Sequence, residues 1–327
     1  MRIGPIEAKK GDKIFGFLEF NRSRGQFPLK IPLHIIEGTS QGPVLLIQAG
    51  HSGLEIEHAL TLATIVEALD PRELSGTVLV VPLLNVWGFE FGETRSPLDN
   101  KDLNAIGRGV EHGTTSEELV YNYYAAVVSK SDAVLDVHSG ALWGYYRYVS
   151  AYDSPARNEA IKLATAMDFR QVMTWQPDDS SIACSASKDG KTIVSIWIGG
   201  GPGLRDFRSE DTMRLRTAVN NAMKHLHMLQ GNVERRIPNV QLIEPHTFIR
   251  STDKRGLILM LHEKRGSQVK GGEKIGSIIH PYTGNLVEEL KAPQDGILLH
   301  AGSVWPLPPE GSLLAILGNL REELRFT

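Results

Sequence analysis

The chain is 327 residues long, 41% apolar and 22% charged, a balance that excludes a wholly disordered or low-complexity protein. Lys and Arg number 35 against 38 Asp and Glu, a net charge of −3, so charge gives no reason to expect nucleic acid or an anionic membrane as partner. A single cysteine, Cys184, excludes an intramolecular disulfide framework and a zinc site built on several thiolates, leaving His, Asp and Glu to hold any metal. The N-terminus has no uninterrupted apolar core followed by a cleavage site, and no charge-free apolar stretch reaches roughly 18 residues, which predicts a cytoplasmic protein.

In chain order, Ile14 to Phe20 and Leu29 to Ile36 read as strands. The continuous apolar run Val44 to Ala49 is short and β-rich, as expected of a strand buried on both faces. Apolar residues then recur at helical spacing from Glu55 to Leu69, and Asp70-Pro71 closes that helix. Thr77 to Leu84 and Ala133 to Val137 read as further buried strands, with a helix-compatible segment from Ser116 to Ser129 between them. Asp153 to Met167 is predicted helical, Lys191 to Ile198 a strand, and Arg205 to Leu229 a long amphipathic helix. Alternation of this kind predicts an α/β domain, residues 1–238, with a mixed, largely parallel sheet covered by helices. Beyond Ile237-Pro238 the chain holds short apolar runs punctuated by Gly, Pro and Asn, which predicts a small all-β domain over residues 239–327.

In open α/β sheets ligands collect beyond the carboxyl ends of the strands, and three loops carry polar residues there. The first is Ala49-Gly50-His51-Ser52-Gly53-Leu54-Glu55. The second runs from Asn85 through Gly88, Glu93, Thr94 and Arg95 to Asp102-Leu103-Asn104. The third is Asp136-Val137-His138-Ser139-Gly140. A metal-ligating imidazole usually donates its other N–H to a carboxylate or carbonyl, and Asp136 is spaced to orient His138 in that way. Arg95 and Asn104 offer a bidentate fork and a neutral donor to a carboxylate. Trp143, Tyr145 and Tyr146, just after His138, suit an aromatic pocket wall as well as ordinary core packing.

Together the loops resemble the succinylglutamate desuccinylase/aspartoacylase family, relatives of the zinc carboxypeptidases, over nearly the whole chain. The matching stretches are Gly50…Gly53-Leu54-Glu55, Asn85-Val86-Trp87-Gly88-Phe89…Thr94-Arg95…Asp102-Leu103-Asn104, and Asp136-Val137-His138. Val269 to Glu273 and Lys291 to Gly296 are similar to the family's accessory β-domain, a biotinyl/lipoyl-type barrel, without a Met-Lys-Met modification site. The resemblance implies a zinc-carboxypeptidase-like fold and a Zn2+ ion held by two His and one Glu, here His51, Glu55 and His138. It implies hydrolysis of an amide or ester of a small N-acyl amino acid or related carboxylate, with Arg95, Asn104 and Arg108 on the substrate. A homo-oligomer is compatible with it.

Three positions depart from the family pattern. Ser52 stands where the first histidine ligand is expected, with His51 one residue earlier, which implies a weaker hold on zinc. Trp197 occupies the place of the general-base glutamate, and an indole cannot take a proton. Ala105 replaces an arginine after Asp-Leu-Asn, with Arg108 three residues on. Glu57, Glu90 and Glu93 are candidate replacement bases among which the sequence does not choose. The departures leave a second reading open: a catalytically impaired relative that binds a carboxylate or a partner.

Overall fold

The protein is described here by a computed structural model covering residues 1–22, 28–140, 146–176, 180–200, 209–250, 256–260, 264–301 and 313–326. Of the predicted aromatic wall, Trp143 and Tyr145 lie outside the described residues.

A small hairpin, β1 (Arg2–Ile3) and β2 (Ile6–Glu7), precedes two long antiparallel strands, β3 (Lys13–Arg22) and β4 (Pro28–Glu37). The apolar run predicted as a doubly buried strand is the end of β5 (Ser40–Ala49). It is followed by α1 (Glu57–Ala68) and β6 (Ser75–Val81), then by the short α2 (Val86–Phe91), α3 (Thr115–Ala126) and β7 (Ala133–His138). β5 lies between β6 and β7 and is parallel to both, which is why it can be apolar on both faces.

Beyond β7 the chain forms β8 (Tyr146–Tyr152), α4 (Arg157–Ala166), β9 (Gln171–Trp175), α5 (Ile182–Lys188), β10 (Thr192–Gly199) and α6 (Ser209–His225). β8, β9 and α5 carry little of the period on which sequence reading depends. β8 interleaves tyrosines with Arg147 and Ser150, and α5 is seven mostly small residues held at its start by the Ser181 hydroxyl, which accepts from the Cys184 N–H.

The main sheet has twelve strands, in the order β13 (Gln268–Val269), β16 (Gly296–Ala301), β17 (Leu313–Arg325), β11 (Asn239–Arg250), β9, β8, β10, β7, β5, β6, β4, β3. Five of its pairings between β6 and β11 are parallel, and β8 against β10 is the antiparallel exception. The fold is therefore α/β with a largely parallel central sheet, as the sequence predicts. One apolar cluster joins α1, α4 and α6 to one face of the sheet, through residues such as Leu62, Leu163 and Leu215 against Ile47, Leu135 and Ile196. A second joins α3 and α5 to the opposite face, through Val120 and Ile182 against Leu46, Leu79 and Val134. Among the described residues, no helix is long and apolar enough to cross a membrane.

From Asn239 onward the described elements are all strands, joined by short turns. β11 (Asn239–Arg250), β13 (Gln268–Val269), β16 (Gly296–Ala301) and β17 (Leu313–Arg325) extend the main sheet, to which β11 is joined by parallel pairing with β9. β12 (Leu257–Met260), β14 (Lys274–Ile279) and β15 (Leu286–Lys291) form a separate three-stranded sheet. Ile275, Ile278 and Leu290 of that sheet pack on Val269, Leu298 and Leu317 of the extension, making a sandwich with its own apolar core.

Candidate metal and acyl-substrate site

Backbone constraints explain the glycines of the first loop. Gly50 ends β5 with φ at +70°, a conformation that turns the chain out of the strand and that a side chain would resist. Gly53 lies so close to α2 that a Cβ there would stand 2.0 Å from the Gly88 carbonyl carbon. The second loop is tied to the first by bonds from the Leu84 N–H to the Ala49 carbonyl and from the Asn85 N–H to the Gly50 carbonyl, at 3.0 and 2.7 Å. Asn85 caps α2, its side-chain oxygen accepting from the Gly88 N–H at 2.8 Å, and Asp102 caps the next turn by accepting from the Asn104 N–H at 2.9 Å. Much of the Asn-x-x-Gly and Asp-Leu-Asn pattern is thus loop construction that brings two polar loops to one sheet edge.

Because Gly50 turns the chain, His51 faces the end of β7. Its Nε2 donates to Asp136 Oδ1 at 2.6 Å, and His138 Nε2 donates to Asp136 Oδ2 at 2.8 Å. Gln48, level with Asp136 in the parallel register, gives a third bond to Oδ1 at 2.7 Å and itself accepts from the Tyr123 hydroxyl at 2.7 Å. All of these groups are buried. Burial alone would raise the Asp136 pKa, but the two imidazoles and their hydrogen bonds outweigh it and hold the carboxyl well below its ordinary range. Burial likewise works against a charged His138, and the facing Asp136 carboxylate, with Glu55 beyond it, raises that imidazole's pKa instead. The phenol of Tyr123 is driven well above its usual pKa by burial, so it stays a donor.

With both Nε2 atoms bound to Asp136, each histidine turns Nδ1 elsewhere. His51 Nδ1, His138 Nδ1 and Glu55 Oε2 are buried and have no hydrogen-bond partner among the described residues, and the last two are 3.6 Å apart. Buried polar atoms are rarely left so. Ligand atoms of His51, Asp136 and His138 also lie within 4.8 Å of one another.

Strand register builds the wall beside this cluster. Trp197 of β10 pairs with His138 on one side and Tyr148 on the other, so the three side chains form a row across the sheet. The indole stacks on the His138 ring at 4.4 Å and 18°, and His138 stacks on His51 at 4.7 Å and 22°. Tyr146 meets the indole edge-on at 5.6 Å. Trp197 thus forms an aromatic plate over the His138 imidazole.

A cavity of about 230 Å3 opens over these groups. His51, Ser52, Glu55, Thr94, Arg95, Asp102, Asn104, Tyr146 and Trp197 are among the residues that line it. Asn104 Oδ1 is buried there without a partner among the described residues, while one Arg95 N–H donates to the Asn100 carbonyl. The structure brings His51, Glu55, His138, Arg95 and Asn104 together and does not bring in Arg108. That guanidinium bonds to Asp189 at 2.9 Å, lies over the Tyr124 ring at 5.5 Å and is absent from the cavity lining. Glu57, Glu90 and Glu93 are not in the lining either, whereas Asp102 is. Gln48 and Tyr123 escaped the sequence reading. Gln48 had a signal, as the lone polar side chain in the apolar run Val44 to Ala49.

The family model described as the succinylglutamate desuccinylase/aspartoacylase catalytic domain matches residues 41–226. N-alpha-acetyl-L-2,4-diaminobutyric acid deacetylase of Halomonas elongata is 24% identical over 303 residues, covering 90% of this chain and 87% of that protein. The product-bound structure of the ectoine utilization protein EutE (DoeB) from Ruegeria pomeroyi superposes with a TM-score of 0.84 at 21% identity, over 96% of this chain and 97% of that one. A succinylglutamate desuccinylase/aspartoacylase structure from Rhodobacter sphaeroides gives 0.85 at 20% identity, over 98% and 100%.

Proposed function

The chain belongs to the succinylglutamate desuccinylase/aspartoacylase family, and from that premise we propose that it is a zinc-dependent cytoplasmic deacylase acting on a small N-acyl amino acid or related carboxylate. One observation carries the reading. Three buried atoms without a hydrogen-bond partner among the described residues, His51 Nδ1, Glu55 Oε2 and His138 Nδ1, belong to two imidazoles and a carboxylate, the donor set of a catalytic zinc site. Residues 1–238 would hold the site, and residues 239–327 would serve as the accessory β-domain.

In this reading His51, Glu55 and His138 would hold the ion, which when bound supplies Lewis-acid polarisation of an acyl carbonyl and an acidified water. Asp136 accepts from Nε2 of each imidazole, so Nδ1 is the atom each would offer an ion, and His138, whose pKa is raised, would give up its second proton as the ion binds. Arg95 and Asn104, in the same cavity lining, would grip the substrate carboxylate and so aim the scissile carbonyl. The volume of about 230 Å3 suits a metabolite rather than a peptide. Trp197 takes no proton. Besides Glu55, Asp102 is the carboxylate among the described lining residues that faces the same space.

Trp197 also favours a second reading, a carboxylate-binding protein that has given up catalysis, because loss of a general base costs about 10²- to 10⁴-fold in rate. Two measurements separate the readings. Protein purified without chelator should contain zinc, and less than about a tenth of an equivalent in a folded sample overturns the zinc-dependent deacylase. Release of free amine from a panel of N-acetyl and N-succinyl amino acids should be seen with the natural chain. If the natural chain is silent and Ser52→His with Trp197→Glu gains activity, the binding reading stands instead.

A further inference from the structure

We propose that the strands of the C-terminal sandwich brace His51 and His138 through a stack of four rings, Tyr148, Trp197, His138 and His51, in which Trp197 is a positioning residue for the metal site. The inference rests on the zinc reading above and deepens it. Neighbouring strands lie roughly 4.8 Å apart, so flat side chains at matched register on one face of a sheet fall at stacking distance. Tyr148 of β8 pairs with Trp197 of β10, and Trp197 pairs with His138 of β7. The rings follow one another at 6.0 Å and 25°, then 4.4 Å and 18°, then 4.7 Å and 22° to His51 beyond the end of β5.

His138 is thereby held at one corner and on both faces. Asp136 accepts from its Nε2 at 2.8 Å. Because β7 lies between β10 and β5, Trp197 covers one face of the imidazole and His51 the other. A hydrogen bond at one corner leaves a ring free to rock about that corner, and rocking would swing Nδ1 away from Glu55 Oε2, 3.6 Å off. The flat neighbours oppose that motion. Trp197 suits the place for a second reason. An imidazole that shares its lone pair with a cation carries more positive charge, and an indole face attracts positive charge better than any other aromatic side chain.

The far end of the stack rests on the C-terminal strands, and β16 and β17 are apolar on both faces. Leu298 and Leu317 belong to the core of the sandwich. The alternate residues Ile297, Leu299 and Ile316 join Tyr148 in a separate apolar cluster, on which Trp197 also packs. Closing the sandwich accounts for the first set alone. The second set completes a contiguous path from the C-terminal strands to the two imidazoles, although neither Tyr148 nor these three residues are among the described residues of the cavity lining.

Zinc affinity, read by competition titration against a chromophoric chelator, tests the brace, with melting temperature showing that each variant is folded. Trp197→Phe keeps a ring and should bind zinc within about threefold of the natural chain, whereas Trp197→Leu should lose about 10- to 100-fold, the cost of an outer partner of a metal ligand. Tyr148→Leu and Leu299→Ala should each lose about three- to tenfold in the natural background. Neither should cost anything further once residue 197 is leucine, because the path is already cut. Ile316→Val takes the place of Leu299→Ala should that variant not fold. A folded Trp197→Leu chain that binds zinc within about threefold of the natural one, a Trp197→Phe chain as weak as Trp197→Leu, or losses that simply add in the double variants would each overturn the brace alone. A natural chain that binds no zinc overturns the zinc reading, and this inference with it.

Discussion

Asp136→Asn is the sharpest test of how the site is built. The carboxylate accepts three buried hydrogen bonds: Gln48 Nε2 and His51 Nε2 on Oδ1, and His138 Nε2 on Oδ2. An asparagine amide has one acceptor oxygen and one NH2 group. If the oxygen stays with Gln48 and His51, the NH2 faces His138, whose proton must then move from Nε2 to Nδ1, the atom that points at Glu55. If the amide turns over, its NH2 meets the donors of Gln48 and His51. Either arrangement takes one imidazole out of the donor set. Loss of a single outer partner lowers metal affinity about 10- to 100-fold, and the upper end applies here because one carboxylate serves two histidines. The expected change in zinc affinity is about 100-fold, or about 2.7 kcal/mol. A further loss of about 1–3 kcal/mol in folding stability is expected from the unpaired donor. Competition titration against a chromophoric chelator measures the first, and thermal melting the second. Tyr123→Phe, which cuts the network one residue further out, should cost less than about tenfold. Zinc binding by Asp136→Asn within about threefold of the natural chain, or a greater loss for Tyr123→Phe, would refute this account of the network.

Other outcomes follow from the same geometry. Arg95→Ala should raise KM for carboxylate substrates about 10- to 100-fold, the cost of one charge-assisted bond, whereas Arg108→Ala should leave KM unchanged because that side chain is held by Asp189; steady-state kinetics on the two variants decides. Gly53→Ala must drive the first loop from α2, so melting and zinc titration should show about 1–3 kcal/mol lost and weaker metal binding together. Asp99 accepts from the N–H and hydroxyl of Ser116 in the first turn of α3, and although burial opposes it, these bonds lower its pKa below 3.8. A carboxyl with a lowered folded pKa stabilises above its unfolded value and loses that contribution as pH falls through the folded value. Stability should therefore drop below about pH 4, and Asp99→Asn should flatten that acid limb while costing about 1 kcal/mol at neutral pH, as read by melting across pH.

Zinc content and acyl release remain the direct checks on function, and His51 shows why the sequence alone falls short there. In an extended strand, a one-residue shift turns a side chain to the opposite face. After the left-handed turn at Gly50 no such alternation holds, and the imidazole reaches Asp136. Trp197 marks the complementary case. The family resemblance puts it where a general-base glutamate is expected, but only the pairing of β10 between β7 and β8 makes it a plate stacked on His138.

What the sequence by itself determined is whatever depends on local period and residue chemistry: the apolar strands and amphipathic helices of an α/β sheet, the strand-rich last quarter, and, with a single cysteine, that any metal would have to rely on imidazole and carboxylate. β8, β9 and α5 escaped it because their burial comes from neighbours remote in the chain. Tertiary structure alone decided that Asp136 serves two histidines, that Gln48 and Tyr123 stand behind it, that Arg108 belongs to Asp189, and that β3 ends the sheet with its phenylalanines exposed. The physical reason is common to all four. Each is set by pairing across the sheet or by packing on it between segments distant in sequence, and a side chain's local pattern does not record which partner it will meet.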